Sequence, residues 1–187
     1  MTHRQIFLTL MGLLGLILLP GMLTSCISDA MTTSPRDVLT FSRDTVSFDT
    51  VFTDLGTPTA RLIVSNRAKK GINISSIRFR NPDTRFRMNV DGQSGTDFRD
   101  VEIRGKDSIY VFIECCIPET AGNEPTLVED QLEFVTNGVT QNVLCEAWGQ
   151  NVTRLRGVTF DRDTRLTTER PYVVFDSLVV APAVRLS

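Results

Sequence analysis

The sequence predicts an all-β protein built as an antiparallel β-sandwich, and three observations carry that prediction. Apolar side chains recur at every second position from Val38 onward, the period of a strand with one face buried. Polar clusters containing Gly, Pro or Asn punctuate the pattern at roughly 8–12-residue intervals, which marks out about eight short strands and favours a sandwich over a barrel. No stripe at the helical period of about 3.6 residues interrupts it.

Ahead of that pattern stands a different kind of segment. An apolar run from Ile6 to Leu19 follows the single Arg4 and closes on Leu23-Thr24-Ser25-Cys26. A basic start, a short apolar core and small residues at the cut define a secretory signal. The run falls short of the roughly 20 residues that span a bilayer, and Pro20-Gly21 breaks it, so a retained transmembrane anchor is the weaker reading. Leu23-Thr24-Ser25-Cys26 resembles the bacterial lipobox. That resemblance implies a lipoprotein signal peptide over residues 1–25, a diacylglyceryl group on the Cys26 thiol, cleavage in front of it, and a protein held at the outer membrane of the cell envelope.

Cleavage would leave 162 of the 187 residues, enough for one domain with a real core. Arg4 leaves with the signal, so the 20 basic residues become 19 against 22 acidic ones. No basic patch points to nucleic acid, and no nucleic-acid partner is expected.

In chain order, residues 26–37 are rich in Ser, Thr and Asp without periodicity, and so predict a flexible tether. The acidic cluster of surface-export signals in Bacteroides-group lipoproteins is reduced here to Asp29, which leaves periplasmic and surface display both open. Val46, Phe48 and Phe52 then share one face of a strand, and Ala60, Leu62 and Val64 form the next. Ser65 to Gly71 is a polar turn. Ile72 and Ile74 differ in parity from Ile77 and Phe79, which predicts a bulge at Ser75-Ser76. Phe86, Met88 and Val90 alternate between the turns at Asn81-Pro82-Asp83 and Asp91-Gly92. The strongest strand puts Ile109, Val111, Ile113 and Cys115 on one face and Tyr110, Phe112 and Cys116 on the other, so both faces are expected to be partly covered. Asn137-Gly138 is the best two-residue hairpin signal, and Val143, Cys145 and Ala147 share a face of its return strand. Phe112 and Trp148 are expected to help close the sandwich, although the parity of Trp148 differs from that of Val143 and Cys145 and also fits cover of an outer face or the tail.

The order of Phe48 to Gly56, Leu62 to Asn66, Ile72 to Ile77, Gly105 to Ser108 and Ala147-Trp148-Gly149 resembles the immunoglobulin-like module, related to the ASH and major-sperm-protein group, at the N-terminus of Bacteroidetes lipoproteins. The resemblance covers residues 38–150 and implies a spacer or protein-interaction domain. Residues 151–187 read as a linker with a short strand near Val158 to Phe160, then a β-prone stretch from Tyr172 to Val180. In the lipoproteins this chain resembles, similar segments lead into a right-handed parallel β-helix. Here they are expected to pack loosely or to dock on the sandwich as an unfinished β segment.

The chemical inventory excludes more than it offers. His3 is the chain's one histidine and falls within the signal, so Ser-His-Asp, Cys-His and His-ligated zinc sites are excluded from the processed chain. Asp161 and Asp163 lack the further oxygens a calcium loop needs. No catalytic residue, metal or cofactor is expected, and the chain reads as a non-enzyme. Cys115, Cys116 and Cys145 form an odd set in an oxidising compartment, and shared parity makes Cys115 and Cys145 the candidate disulfide pair, with buried free thiols as the alternative. Thr45, Thr50, Ser108 and Ser177 each follow Asp and precede an apolar residue, resembling the Bacteroides O-glycosylation acceptor, although a polar turn entering a strand has the same pattern. Three functions compete: a noncatalytic envelope lipoprotein whose sandwich binds protein or glycan or acts as a spacer, an accessory fragment of a larger β-helix carbohydrate-active lipoprotein, and a pilin-type chaperone.

Overall fold

A computed structural model describes residues 30–187. The signal peptide and the lipidation expected at Cys26 lie outside the described residues. Among those residues every regular element is a strand. In chain order they begin β1 (Leu39–Phe41), β2 (Thr45–Phe52), β3 (Ala60–Asn66), β4 (Ile72–Phe79), β5 (Phe86–Val90) and β6 (Gln93–Gly95). Then come β7 (Asp97–Phe98), β8 (Val101–Ile103), β9 (Ser108–Cys115), β10 (Thr126–Thr136) and β11 (Val139–Gln150). The last two are β12 (Thr153–Phe160) and β13 (Tyr172–Val180).

Strands β1-β3-β9-β5-β6 make one sheet and β2-β11-β10-β4-β7 the other, with β8 also on β4. The pairings within these sheets are antiparallel except for β2, which runs parallel to β11 with Val46 opposite Cys145. Two local signals take the predicted geometry. Asn137 and Gly138 have φ of 51° and 78°, the left-handed pair a tight hairpin demands, and so let β10 and β11 zip from Thr136↔Val139 to Thr126↔Gly149. The parity slip in β4 is a bulge: Val135 faces Ser76 and Thr136 faces Ile74, so Ser75 is passed over and its hydroxyl donates to the Val135 carbonyl at 3.0 Å.

The two inward faces form one core. Leu62, Val111 and Ile113 of the first sheet face Ile74, Leu132 and Val143 of the second, all fully buried. Phe134 packs at a tilt against Phe41 with ring centroids 4.9 Å apart, and Phe86 stacks on Phe79 at 5.8 Å. These are the closing aromatics. Trp148 and Phe112 are instead 46% and 36% exposed, because Ala147 and Val111 take the inward parity beside them.

Two segments outside the sandwich are tied to it. From Met31 the expected tether docks: Met31 bridges Gly71, the Thr32 amide donates to the Gly71 carbonyl at 2.8 Å, and the Asn137 side-chain amide donates to the carbonyls of Ser34 and Asp37 at 3.0 Å each. At the other end, β12 is longer than the short strand expected and runs parallel to β13, Thr153 opposite Tyr172. A further parallel bridge joins Thr164 to Leu186. Arg154 donates to the Thr53 carbonyl and to Asp54, and Arg170 donates to Asn123 at 2.6 Å and to Glu119 at 2.5 Å, so this pair docks on the sandwich through charged hydrogen bonds.

Candidate functional site

Alternation in β9 sends Tyr110, Phe112 and Glu114 to the outer face of the first sheet while their neighbours fill the core. Register decides their company. Phe112 lies between Arg61 of β3 and Asn89 of β5, Tyr110 beside Ile63, and Glu114 beside Arg87; Asn89 in turn faces Ser94 of β6. Asp91 and Gly92, with φ of 48° and 88°, turn β5 back into β6 and so raise one wall of a groove beside Phe112. Its volume is about 770 Å³, and Arg87, Asn89, Ser94, Gly95 and Glu114 line it with Phe112.

The polar lining is held in place. Asn89 donates to the Ser94 hydroxyl at 3.1 Å and accepts from the Gly92 amide at 2.9 Å, and Glu114 accepts from the Thr59 hydroxyl at 2.7 Å. The rings of Tyr110 and Phe112 are 6.2 Å apart, and the Arg61 guanidinium lies 5.6 Å from the Tyr110 centroid. Exposed aromatic rings stand here beside fixed hydrogen-bonding groups, a combination in which aromatics supply contact area and polar groups can fix the orientation of a ligand. Sequence reading missed this site. Its one trace is the Tyr-x-Phe alternation of β9, which by parity alone reads as a half-covered face.

The expected site residues fall elsewhere. Cys115 and Cys145 are free thiols and both are buried, so the bridge their parity allowed is not formed. Shared inward parity is not enough: facing sheets lie about 10 Å apart, whereas a disulfide needs Cα atoms within about 7 Å. Burial, assisted by neighbouring Cys116, pushes the Cys115 thiol up to about 12. Burial, then Asp130 and Cys115, does the same to Cys145. Groups this reluctant to ionise are poor nucleophiles. Thr50, Ser108 and Ser177 are exposed and Thr45 is half-buried, on four separate strand positions. Asp161 pairs with adjacent Arg162 at 3.7 Å and Asp163 accepts the Arg185 amide at 2.7 Å.

No protein-family model matches the chain, and no curated protein does. Among solved structures it is similar to a family 123 glycoside hydrolase from Clostridium perfringens, at 9% identity and a TM-score of 0.41 over 64% of this chain and 26% of that one. It is also similar to the E. coli chaperone DraB, at 11% identity and 0.38 over 62% and 55%. A third is a protein of unknown function from Porphyromonas gingivalis, at 10% identity and 0.42 over 67% and 60%. The matched region spans from about a quarter to three fifths of those chains' own length.

Proposed function

We propose that this chain is a noncatalytic, lipid-anchored envelope lipoprotein of the Bacteroidetes type, and that its sandwich binds glycan through the groove beside Phe112. The observation that carries the binding reading is the exposed Tyr110–Phe112 pair beside the fixed side chains of Asn89 and Glu114. The sheet edges support binding by face rather than by strand addition. β1 and β6 have three residues each, and β2 is kinked at Asp49, with φ of 55°, where its register shifts. Short or kinked edges resist added strands, which weighs against a strand-donating chaperone. A glycan array probed with the full chain is expected to return hits that Phe112→Ala loses; an array blank for both proteins overturns the binding reading.

The anchor rests on Leu23-Thr24-Ser25-Cys26 behind its apolar run. Each buried CH₂ contributes about 0.8 kcal/mol, so two or three acyl chains hold a protein at a bilayer where one is marginal. Labelling with a palmitate analogue is expected to mark the wild type and to miss Cys26→Ser. Equal labelling of the two would sink the anchor.

The parallel pairing of β12 with β13, repeated at Thr164↔Leu186, favours a second reading in which the sandwich is the platform for a parallel coil, as in an accessory part of a larger β-helix lipoprotein. No residue from Thr153 to Ser187 is fully buried, so this pair opens at low cost. Hydrogen exchange of the isolated chain is expected to run at least about a hundredfold faster in β13 than in β9, an opening free energy lower by roughly 3 kcal/mol. Protection in β13 equal to that of β9 would show a self-sufficient element and refute the unfinished coil.

A further inference from the structure

Arg87 and Glu114 are the charged residues that line the groove, and one oxygen of Glu114 is engaged by Thr59 at 2.7 Å. Arg61 stands beyond that lining, beside Phe112 on β3. Arg61 is committed to the face of Tyr110. Arg87 lines the groove with no ion-pair partner among the described residues. Beside it the lining is ready for hydroxyl groups: Asn89 spends one side-chain N–H on Ser94 and keeps the other, and the Ser94 hydroxyl, having accepted, can still donate.

Resting on the glycan-binding reading, the geometry points to an acidic glycan as the occupant, one whose pyranose rings carry uronate carboxylates. A sugar ring lays its apolar C–H face on Phe112, with Tyr110 extending the platform to the next ring. Its carboxylate takes the planar fork of Arg87, which offers two parallel N–H bonds that a neutral hydroxymethyl group cannot use. Asn89 and Ser94 bind ring hydroxyls across the groove. Glu114 is the register neighbour of Arg87 on β9, with one oxygen held by Thr59. Local charge complementarity selects the acidic sugar; the aromatic platform selects a sugar over a small free anion.

The test uses the full chain in detergent and hexasaccharides of galacturonate, alginate and hyaluronate, with maltohexaose and cellohexaose as neutral probes, titrated by calorimetry. At least one uronate oligosaccharide is expected to bind tenfold or more tightly than either neutral one, with a preference that shrinks as salt rises. Arg87→Gln is expected to abolish that preference, and Phe112→Ala to weaken every glycan that binds, while both variants keep the wild-type urea midpoint. Neutral and acidic probes bound equally, with Arg87→Gln silent, would overturn the uronate inference and leave glycan binding standing. No binding to any probe would overturn both.

Discussion

Replacing Asn66 by Ala is expected to cost about 3 kcal/mol of stability, although the residue lies in what reads as a polar surface turn. Asn66 is fully buried at the end of β3. Its side-chain amide donates to the carbonyls of Lys70 at 2.8 Å and of Ile103 and Arg104 at 3.1 Å, while its oxygen accepts from the Ala68 amide at 2.9 Å. One side chain thereby joins the β3–β4 turn to the β8–β9 turn. The two turns pack closely: a Cβ on Gly105 would stand 2.1 Å from the Lys69 carbonyl oxygen. Ala removes a donor from the carbonyls of Lys70, Ile103 and Arg104 and an acceptor from the Ala68 amide, although the Arg104 carbonyl still accepts from the Asp107 amide at 3.2 Å, and Asp fares worse by setting a carboxylate oxygen against those carbonyls. Urea unfolding at constant slope reads the loss as a lower midpoint. A change below about 1 kcal/mol would mean that these groups find other partners.

Asn66 also shows what a sequence reveals and what it conceals. Strand parity and turn chemistry are local, so the hairpin at Asn137-Gly138, the bulge at Ser75 and the inward faces of β9 and β11 were legible from neighbours alone. Long-range partners are not local. Nothing in Ser65 to Gly71 tells that one Asn reaches carbonyls 37 and 38 residues away, and nothing in Asn137 tells that a hairpin residue also secures Ser34 and Asp37, 103 and 100 residues away. The parallel approach of β2 to β11 was hidden for the same reason.

The groove was illegible for a different reason. Aromatic residues are read as core by default, and Phe112 and Trp148 sit in strands whose other face truly is core. Parity separates the two faces, but it does not say whether the second face is covered. That depends on whether another element packs there, and the chain's remaining strands, β12 and β13, are tied to Thr53, Glu119 and Asn123 instead.

Stability is expected to fall as pH rises above about 9, by about 2 kcal/mol at pH 10, because of two thiols the sandwich keeps neutral. Cys115 and Cys145 ionise near the ordinary value of 9.0 when unfolded and at about 12 when folded. At pH 7.5 both states hold nearly all of these protons and almost no linkage arises. Between about 9 and 12 the unfolded chain releases them first, so unfolding gains free energy with each step of pH. At pH 10 a shift of this size is worth about 1.4 kcal/mol for one thiol, and less than twice that for two when part of the Cys145 shift comes from Cys115. The cause lies in the packing: Cys145 is buried opposite Asp130, a carboxylate with one buried oxygen that has no partner, and Cys115 is buried on the facing sheet. A thiolate there would meet negative charge without water. Urea unfolding of the wild type and of the Cys115→Ala, Cys145→Ala double variant, each at pH 7.5 and pH 10, isolates the effect from lysine and tyrosine titration common to both. The wild type is expected to lose about 2 kcal/mol more than the variant over that interval, and equal losses would place the alkaline sensitivity elsewhere.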